Sequence, residues 1–307
     1  MPDTTCSYCA GQAVYVREHE GVRFCSTCFR EAIEDKFRKT VIRHKMLEYN
    51  DHVALAVSGG KDSLTLLNLL VKLEGRFPRT KVTAVSVDEG IEGYRDEALD
   101  LARKACDRLG VRQVVVSYRQ LFGITTDEIA GMKLGQTPCS YCGVFRRKAI
   151  NKAAMMVGAT KIATAHNLDD EVQTVLLNMM HGDPVRIVRS GPVLRDPRGK
   201  FLPRIKPLAD IPEKEIVLYA FLSGTEFQTI TCPHGHEALR NDIRNFLNQM
   251  ELKHPGSKFT LQKSAERLRT LLAAQAPLGD LRECEKCGDP TPHDLCEACL
   301  MLGAIAA

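Results

Sequence analysis

The chain contains no tryptophan, and aromatic residues of all kinds make up 6% of its 307 positions. Extensive stacking of bases on aromatic rings, the device of many single-stranded nucleic-acid binders, is therefore not advertised. Also missing is any apolar run of the ~20 residues a membrane-spanning helix needs. The best candidate, Leu64–Val71, is broken by Thr65 and Asn68, so no membrane partner is expected. An excess of one charge sign is missing too, the formal net charge being +4. The opening MPDTTCSYC lacks the basic and apolar regions of a signal peptide, which makes the cytoplasm the expected location.

What is present is the composition of a globular protein, 44% hydrophobic and 26% charged. The length suits one large domain with small appendages. Its charge is uneven. Arg186, Arg189, Arg195, Arg198, Lys200, Arg204 and Lys206 crowd one stretch in which Asp196 is the only acid. Arg146, Arg147 and Lys148 form a second cluster, and Arg38, Lys39, Arg43 and Lys45 a third. Any one of these suits a solvated face; three together point to a polyanionic partner such as RNA.

Twelve cysteines in a cytosolic chain argue for metals or redox chemistry rather than disulfides. Cys6, Cys9, Cys25 and Cys28 read C-x2-C-x15-C-x2-C, and Cys284, Cys287, Cys296 and Cys299 read C-x2-C-x8-C-x2-C. Each set places four thiolates where one tetrahedral zinc closes a loop-rich fold too small for its own core. Two structural Zn²⁺ are the expectation, with no open coordination position and no catalytic role. Cys106 falls on the apolar side of an expected helix, as an inert thiol. Cys139 and Cys142 form a fifth C-x2-C with no second pair nearby, and Cys232 lies before a proline in TITCPHGH. Read as three loop cysteines, they suggest a catalytic redox set or a three-ligand metal site. His234 and His236 follow Cys232, as bystanders or as further ligands.

Between the cysteine modules, short apolar runs alternate with helical periodicity. Strands are expected over 53–57, 82–87, 111–117 and 161–165, and helices over 63–73, 94–109, 145–157 and 169–181. This spacing predicts βαβ units, an α/β fold with a parallel sheet covered on both faces. A helix over 30–49 would link the first module to the core. The Pro- and Arg-rich stretch 191–206 reads as a loop, and helices over 212–222, 237–249 and 260–274 would close the core.

Within this pattern, AVSGGKDSLTLLNLL runs from strand to helix but breaks the Walker A rule G-x-x-x-x-G-K-[ST]. Leu55 stands where the first glycine belongs, and Asp62 follows Lys61 in place of Ser or Thr. The loop is still an anion site, since glycines admit backbone N–H groups to phosphate oxygens at a helix N-terminus. SGGKDS resembles the pyrophosphate-binding (PP) loop of the adenylating N-type ATP pyrophosphatases at every position. The resemblance implies ATP cleavage between the α and β phosphates, with Mg²⁺, and transfer of AMP to a carbonyl oxygen. It carries nucleotide binding to Ser58, Gly59, Gly60, Lys61, Asp62 and Ser63, with Lys61 also catalytic. Val87, ending the next strand, matches the adenine position. ATAHNLDDEVQTVLLNMM resembles the family's GHNxDD segment, with Ala165 in place of Gly and Asp170 on an active-site acid. Asp170 is equally placed as a helix N-terminal acid favoured by the dipole.

Cysteine modules at both ends of an SGGKDS core, with C-x2-C and one later Cys, resemble the tRNA 2-thiolation enzymes of the TtuA/Ncs6 group over nearly the whole chain. SVDEGIEGYRDEALD, LFGITTDEIA and CSYCGVFRRKAI are most similar to the Ncs6, or cytosolic thiouridylase, branch, which thiolates the wobble uridine. The T-loop branch has a catalytic Lys four residues after the second Cys, where this chain has Arg146. An arginine stays charged, so it would position anionic groups rather than relay protons. The resemblance implies a 4Fe–4S cluster on Cys139, Cys142 and Cys232, one iron being left open for hydrosulfide. A persulfide on Cys142 or Cys232 that ends as a disulfide is the alternative. It further implies tRNA as substrate, a homodimer, and a sulfur donor that is sulfide, a persulfide protein or a ubiquitin-like thiocarboxylate protein. The expected organisation is a zinc ribbon at 1–29, a linker helix at 30–50, the PP-loop catalytic domain at 51–279 and a zinc finger at 280–307. Rivals are another ATP pyrophosphatase, such as a lysidine synthetase or an amidotransferase-linked ligase, and an RNA-binding module with an inert ATP site.

Overall fold

The structure is a computed structural model that describes residues 4–74, 79–132, 134–196, 198–235, 238–273 and 281–306. A hairpin of β1 (Tyr15–Arg17) and β2 (Val22–Phe24) leads into α1 (Ser26–Arg43). Cys25 caps α1 by accepting from the Cys28 N–H. The helix expected over 30–49 therefore begins inside the first cysteine module, and it ends at Arg43.

The core alternates as expected through β3 (His52–Ala56), α2 (Lys61–Glu74), β4 (Lys81–Asp88), α3 (Arg95–Leu109) and β5 (Gln113–Ser117). Two short helices, α4 (Tyr118–Phe122) and α5 (Thr126–Gly131), precede α6 (Pro138–Met156), β6 (Lys161–Ala163) and α7 (Leu168–Met180). Helix α6 starts seven residues before the expected 145. Thr137 is its N-cap, and Pro138, with its preset φ and missing N–H, occupies the first turn at no cost in hydrogen bonds. This corrects the placement of two cysteines in a loop: Cys139 and Cys142 lie on the first turns of a helix.

After α7 come α8 (Pro184–Val188), β7 (Val193–Leu194) and β8 (Arg204–Ile205), so the stretch read as loop supplies two short strands. Helices α9 (Glu213–Leu222), α10 (Ala238–Lys253) and α11 (Ser257–Ala273) follow. The C-terminal module consists of β9 (Arg282–Glu283), β10 (Pro290–Thr291) and α12 (Glu297–Ala306). The expected boundary between 279 and 280 lies outside the described residues, as does His236.

The main sheet has the order β5-β4-β3-β6-β8-β7. All its pairings are parallel except that of β7 with β8 at the edge. Strand alternation divides the core. Val53 and Leu55 face one cluster with Leu64 and Leu67 of α2, while Ala54 faces a second with Phe145 and Ala149 of α6. The chain leaves β3 toward β4 on one side and returns on the other as β6. That reversal leaves a crevice beyond the carboxyl ends of β3 and β6, where loops from opposite directions diverge.

Both small modules are docked on the core. Arg17 of β1 forms a two-pronged pair with the fully buried Glu215 of α9, at 2.8 and 3.0 Å. Ala298 and Met301 of α12 join the second core cluster beside α6.

Candidate functional site

A cavity of about 330 Å³ lies at the crevice between β3 and β6. Ser58, Gly60, Asp62, Ser63, Val87 and Asp170 line it, together with Ala165. The loop after β3 is braced from within. Ser63 Oγ accepts from the Ser58 N–H at 3.1 Å and donates to Gly60 O at 2.9 Å. Gly59 has φ +88°, and a Cβ there would sit 2.1 Å from the Ala98 carbonyl oxygen, so glycine is required. Its own carbonyl accepts from the Gln228 N–H at 3.1 Å. Lys61, at the first turn of α2, reaches Asp62 at 2.8 Å and Glu213 at 2.7 Å. Burial alone would lower its pKa, but the two carboxylates more than offset that and hold it raised.

From β6, Asn167 and Asp170 form a reciprocal capping box at the start of α7. Asp170 therefore does serve the helix N-terminus, and it lines the cavity as well. Asn167 also donates to Asp62 at 3.1 Å, tying the two loops across the crevice. Burial, with Lys206, Arg240 and Arg204 nearby, pushes His166 down to about 3, so at neutral pH this ring is uncharged.

A second cavity, about 280 Å³, is lined by Cys139, Cys142 and Cys232, with Arg146 in its wall. Arg146 lines the nucleotide cavity too. Its guanidinium lies 3.2 Å from Cys142 Sγ and 2.8 Å from Glu89 at the end of β4. Glu89 is also within 2.8 Å of Arg95, whose guanidinium donates to Val87 O and Ser58 O, both at 2.7 Å. One chain of polar contacts, with Glu89 between two arginines at its centre, therefore runs from the phosphate loop to the Cys142 sulfur. The Cys232 segment is held by His234, which contacts Asp127 at 2.7 Å and accepts from Cys139 Sγ on its carbonyl at 2.8 Å. His234 is thus an anchor of the thiol site.

Among the described residues, only the two terminal sets bring three or more Cys, His or acidic ligand atoms within 4.8 Å of one another. Cys9 and Cys25 are 3.6 Å apart, Cys28 and Cys9 3.7 Å, and Cys287 and Cys296 3.6 Å. A tetrahedral ion with Zn–S of ~2.3 Å separates its sulfurs by roughly 3.8 Å, which these sets fit. Backbone N–H groups of Gly11, Cys28 and Cys296 point at the sulfurs, as thiolates require. The three core thiols line one cavity, but their sulfurs do not all lie within 4.8 Å of one another.

A family model described as the PP-loop domain matches residues 30–251. The tRNA 2-thiolation protein NcsA of Haloferax volcanii is 35% identical over 98% of this chain and 99% of its own length. The chain belongs to the tRNA 2-thiolation proteins of the PP-loop family. The mouse cytoplasmic tRNA 2-thiolation protein 1 is 38% identical over 99% of this chain and 73% of its own. A solved structure of the U34-tRNA thiolase NcsA from Methanococcus maripaludis with its [4Fe-4S] cluster matches with TM-score 0.85 and 34% identity, covering 99% of this chain and 96% of that one.

For this PP-loop protein the structure adds residues that the motifs did not name. Glu89, Arg95, Gln228, Tyr118 and Asp127 all touch the two cavities or their supports. Tyr118 OH donates to Cys142 O at 2.8 Å. A signal for Glu89 was present: an acid directly after a strand as apolar as β4 sits where sheet crevices open. The basic clusters are partly neutralised by acids of the fold, within it at Lys206 and on the surface at Lys39 and Arg43. Lys206 pairs with Glu171, Lys39 with Asp35 and Arg43 with Glu266, while Arg147 and Arg189 stay exposed.

Asp170 is pushed up to about 6 by burial and by the nearby Asp62 and Glu213, against the Asn167 N–H and Arg240. The folded chain therefore favours its neutral form. Its contribution to stability is full below the ordinary value of 3.8 and is lost as pH rises through about 6. Asp170→Asn keeps an acceptor for the cap and removes the charge. It should raise the thermal midpoint by a few degrees at about pH 8 in metal-free buffer, with the gain vanishing near pH 4. Thermal melts across that range check the sign; a lower midpoint at pH 8 would contradict it.

Proposed function

We propose that the chain is an ATP-dependent tRNA sulfurtransferase that replaces O2 of the wobble uridine, position 34, with sulfur. The observation that carries this reading is Arg146, which stands in the walls of both the nucleotide and the thiol cavity. Activation by ATP and delivery of sulfur must meet at one carbonyl carbon, and here the two cavities have one side chain in common.

In this reading Ser58, Gly60 and Ser63, at the α2 N-terminus, receive the departing pyrophosphate. Lys61 neutralises its charge by leaving Asp62 and Glu213 for the phosphates. The end of β4 at Val87 receives adenine beside Ala165. Asp62 and Asp170 line the same cavity and would hold a Mg²⁺ ion, which would relieve their repulsion and neutralise phosphate charge there. The uridine O2 bonds to the α-phosphorus as the bond to pyrophosphate breaks. Sulfur then bonds to C2, and the C2–O bond breaks with AMP taking the oxygen. When bound, a 4Fe–4S cluster on Cys139, Cys142 and Cys232 would supply an iron with a free position for sulfide. Arg146, fixed by Glu89, holds a positive charge beside Cys142 and the developing AMP phosphate.

The Arg at 146 and the likeness to a U34 thiolase support the wobble position. A 32% identical relative from Pyrococcus horikoshii is named tRNA-5-methyluridine(54) 2-sulfurtransferase, so the acceptor is tested directly. In cells lacking the chain, 2-thiouridine should disappear from position 34 of the tRNA. Loss at position 54 instead would move the acceptor to the T-loop, and an unchanged tRNA would overturn the reading. The same reading places two Zn²⁺ in the terminal four-cysteine sets and a homodimer in the cytoplasm. It divides the chain into a zinc ribbon, a linker helix, a catalytic domain and a zinc finger. Sulfide or a ubiquitin-like thiocarboxylate protein serves as sulfur donor.

A further inference from the structure

Lys148 belonged to a cluster of basic residues that suggested an RNA-facing surface. It is instead buried, with a side chain only 7% exposed. Its ammonium lies 2.9 Å from Cys287 Sγ and 3.6 Å from Cys296 Sγ, and it is also paired with Asp289. An ammonium has three N–H donors and no acceptor. Here it meets three acceptors, two of them sulfurs of the C-terminal four-cysteine set. Four thiolates around one Zn²⁺ leave two excess negative charges, which are costly to bury without a compensating cation. Lys148 is that cation, and it comes from the catalytic domain rather than from the module itself.

The lysine sits on α6, the helix that carries Cys139, Cys142 and Arg146. At ~100° per residue, Arg146 and Lys148 point to nearly opposite faces of the helix. Arg146, beside Cys142 Sγ of the same helix, contacts Glu89 at 2.8 Å on one side, and Lys148 contacts Cys287 Sγ at 2.9 Å on the other. Helix α6 is therefore held between the thiol cavity and the C-terminal sulfurs. At the other end of the chain, the thiolates of the first set take backbone N–H donors from Gly11 and Cys28.

We propose that Lys148 is a positioning residue that locks α6 to the C-terminal four-cysteine centre, so that metal at this centre sets the placement of Cys139 and Cys142. The inference rests on the reading of the terminal four-cysteine sets as zinc centres. It gives the two modules different roles, one coupled to the sulfur site and one not.

The test uses the full chain purified anaerobically, with zinc and iron per chain as readouts beside activity. In Lys148→Met, one of the two zinc ions should pass to a chromogenic chelator about 10-fold faster than in the unchanged chain, the other at its original rate. Two ligand variants keep the test independent of how well that variant folds. Cys299→Ser, which opens the C-terminal centre, should lower iron per chain by about twofold or more, whereas Cys28→Ser, at the N-terminal centre, should leave it nearly unchanged. Unaltered zinc release in Lys148→Met overturns the proposal, as does equal iron in the two cysteine variants. A parent chain that binds no zinc overturns the reading of the centres themselves, an outcome distinct from zinc that binds but is indifferent to Lys148.

Discussion

Cys142→Ser is expected to abolish tRNA thiolation, lowering turnover by about a thousandfold or more, and to reduce iron per chain, while ATP binding stays near that of the parent. Cys142 is 7% exposed. Its sulfur lies 3.2 Å from the Arg146 guanidinium and 3.5 Å from the Tyr118 hydroxyl, on the first turns of α6. A serine hydroxyl fits the same space and keeps the hydrogen bonds, but it neither ionises near neutral pH nor acts as a soft ligand. Packing should therefore survive while the sulfur chemistry is lost. Cys106→Ala supplies the control. That thiol is buried on α3, pushed up to about 11 by burial, and should not affect iron or thiolation. Mass spectrometry of 2-thiouridine and iron analysis read the result. A Cys142→Ser chain that thiolates at the parent rate would remove the thiol cavity from the mechanism.

Lys61→Ala should slow adenylation by about 10²–10³-fold, the usual consequence of removing one preorganised charge from a transition state. In the ligand-free chain Lys61 is shared by Asp62 and Glu213, at 2.8 and 2.7 Å. Without it, those two carboxylates and Asp170 face the incoming phosphates with one fewer cation, so the affinity for ATP falls along with the rate. Single-turnover release of pyrophosphate in the presence of tRNA separates the two effects, since saturating ATP restores binding but not the chemical step. Parent-like thiolation by Lys61→Ala would remove Lys61 from the adenylation step.

Much of this protein was readable in the chain as written. The strand–SGGKDS–helix order and the alternating apolar runs are local features, and local features survive in one dimension. The same holds for the two terminal four-cysteine sets, whose ligands are bracketed by short loops and need no distant partner. Misplacements occurred where local rules compete. Helix α6 begins at Pro138, since a proline in a first turn reads in sequence like a loop signal. Strands β7 and β8 have two residues each, too few to show alternation, and exist only because β6 offers β8 a free edge.

By itself, then, the sequence determined the α/β class, the phosphate loop and the grouping of the cysteines, because each depends on residues a few positions apart. Only the tertiary structure decided which charges are spent on which partners. Glu89 meets Arg146 across 57 positions, and Lys148 meets Cys287 across 139. Three adjacent basic residues, Arg146, Arg147 and Lys148, went to the sulfur site, to solvent and to the C-terminal centre. Helical geometry turns neighbours by ~100° each, and the sheet order sets what lies in each direction. A contact of that kind has no signature along the chain, since it depends on where the fold returns.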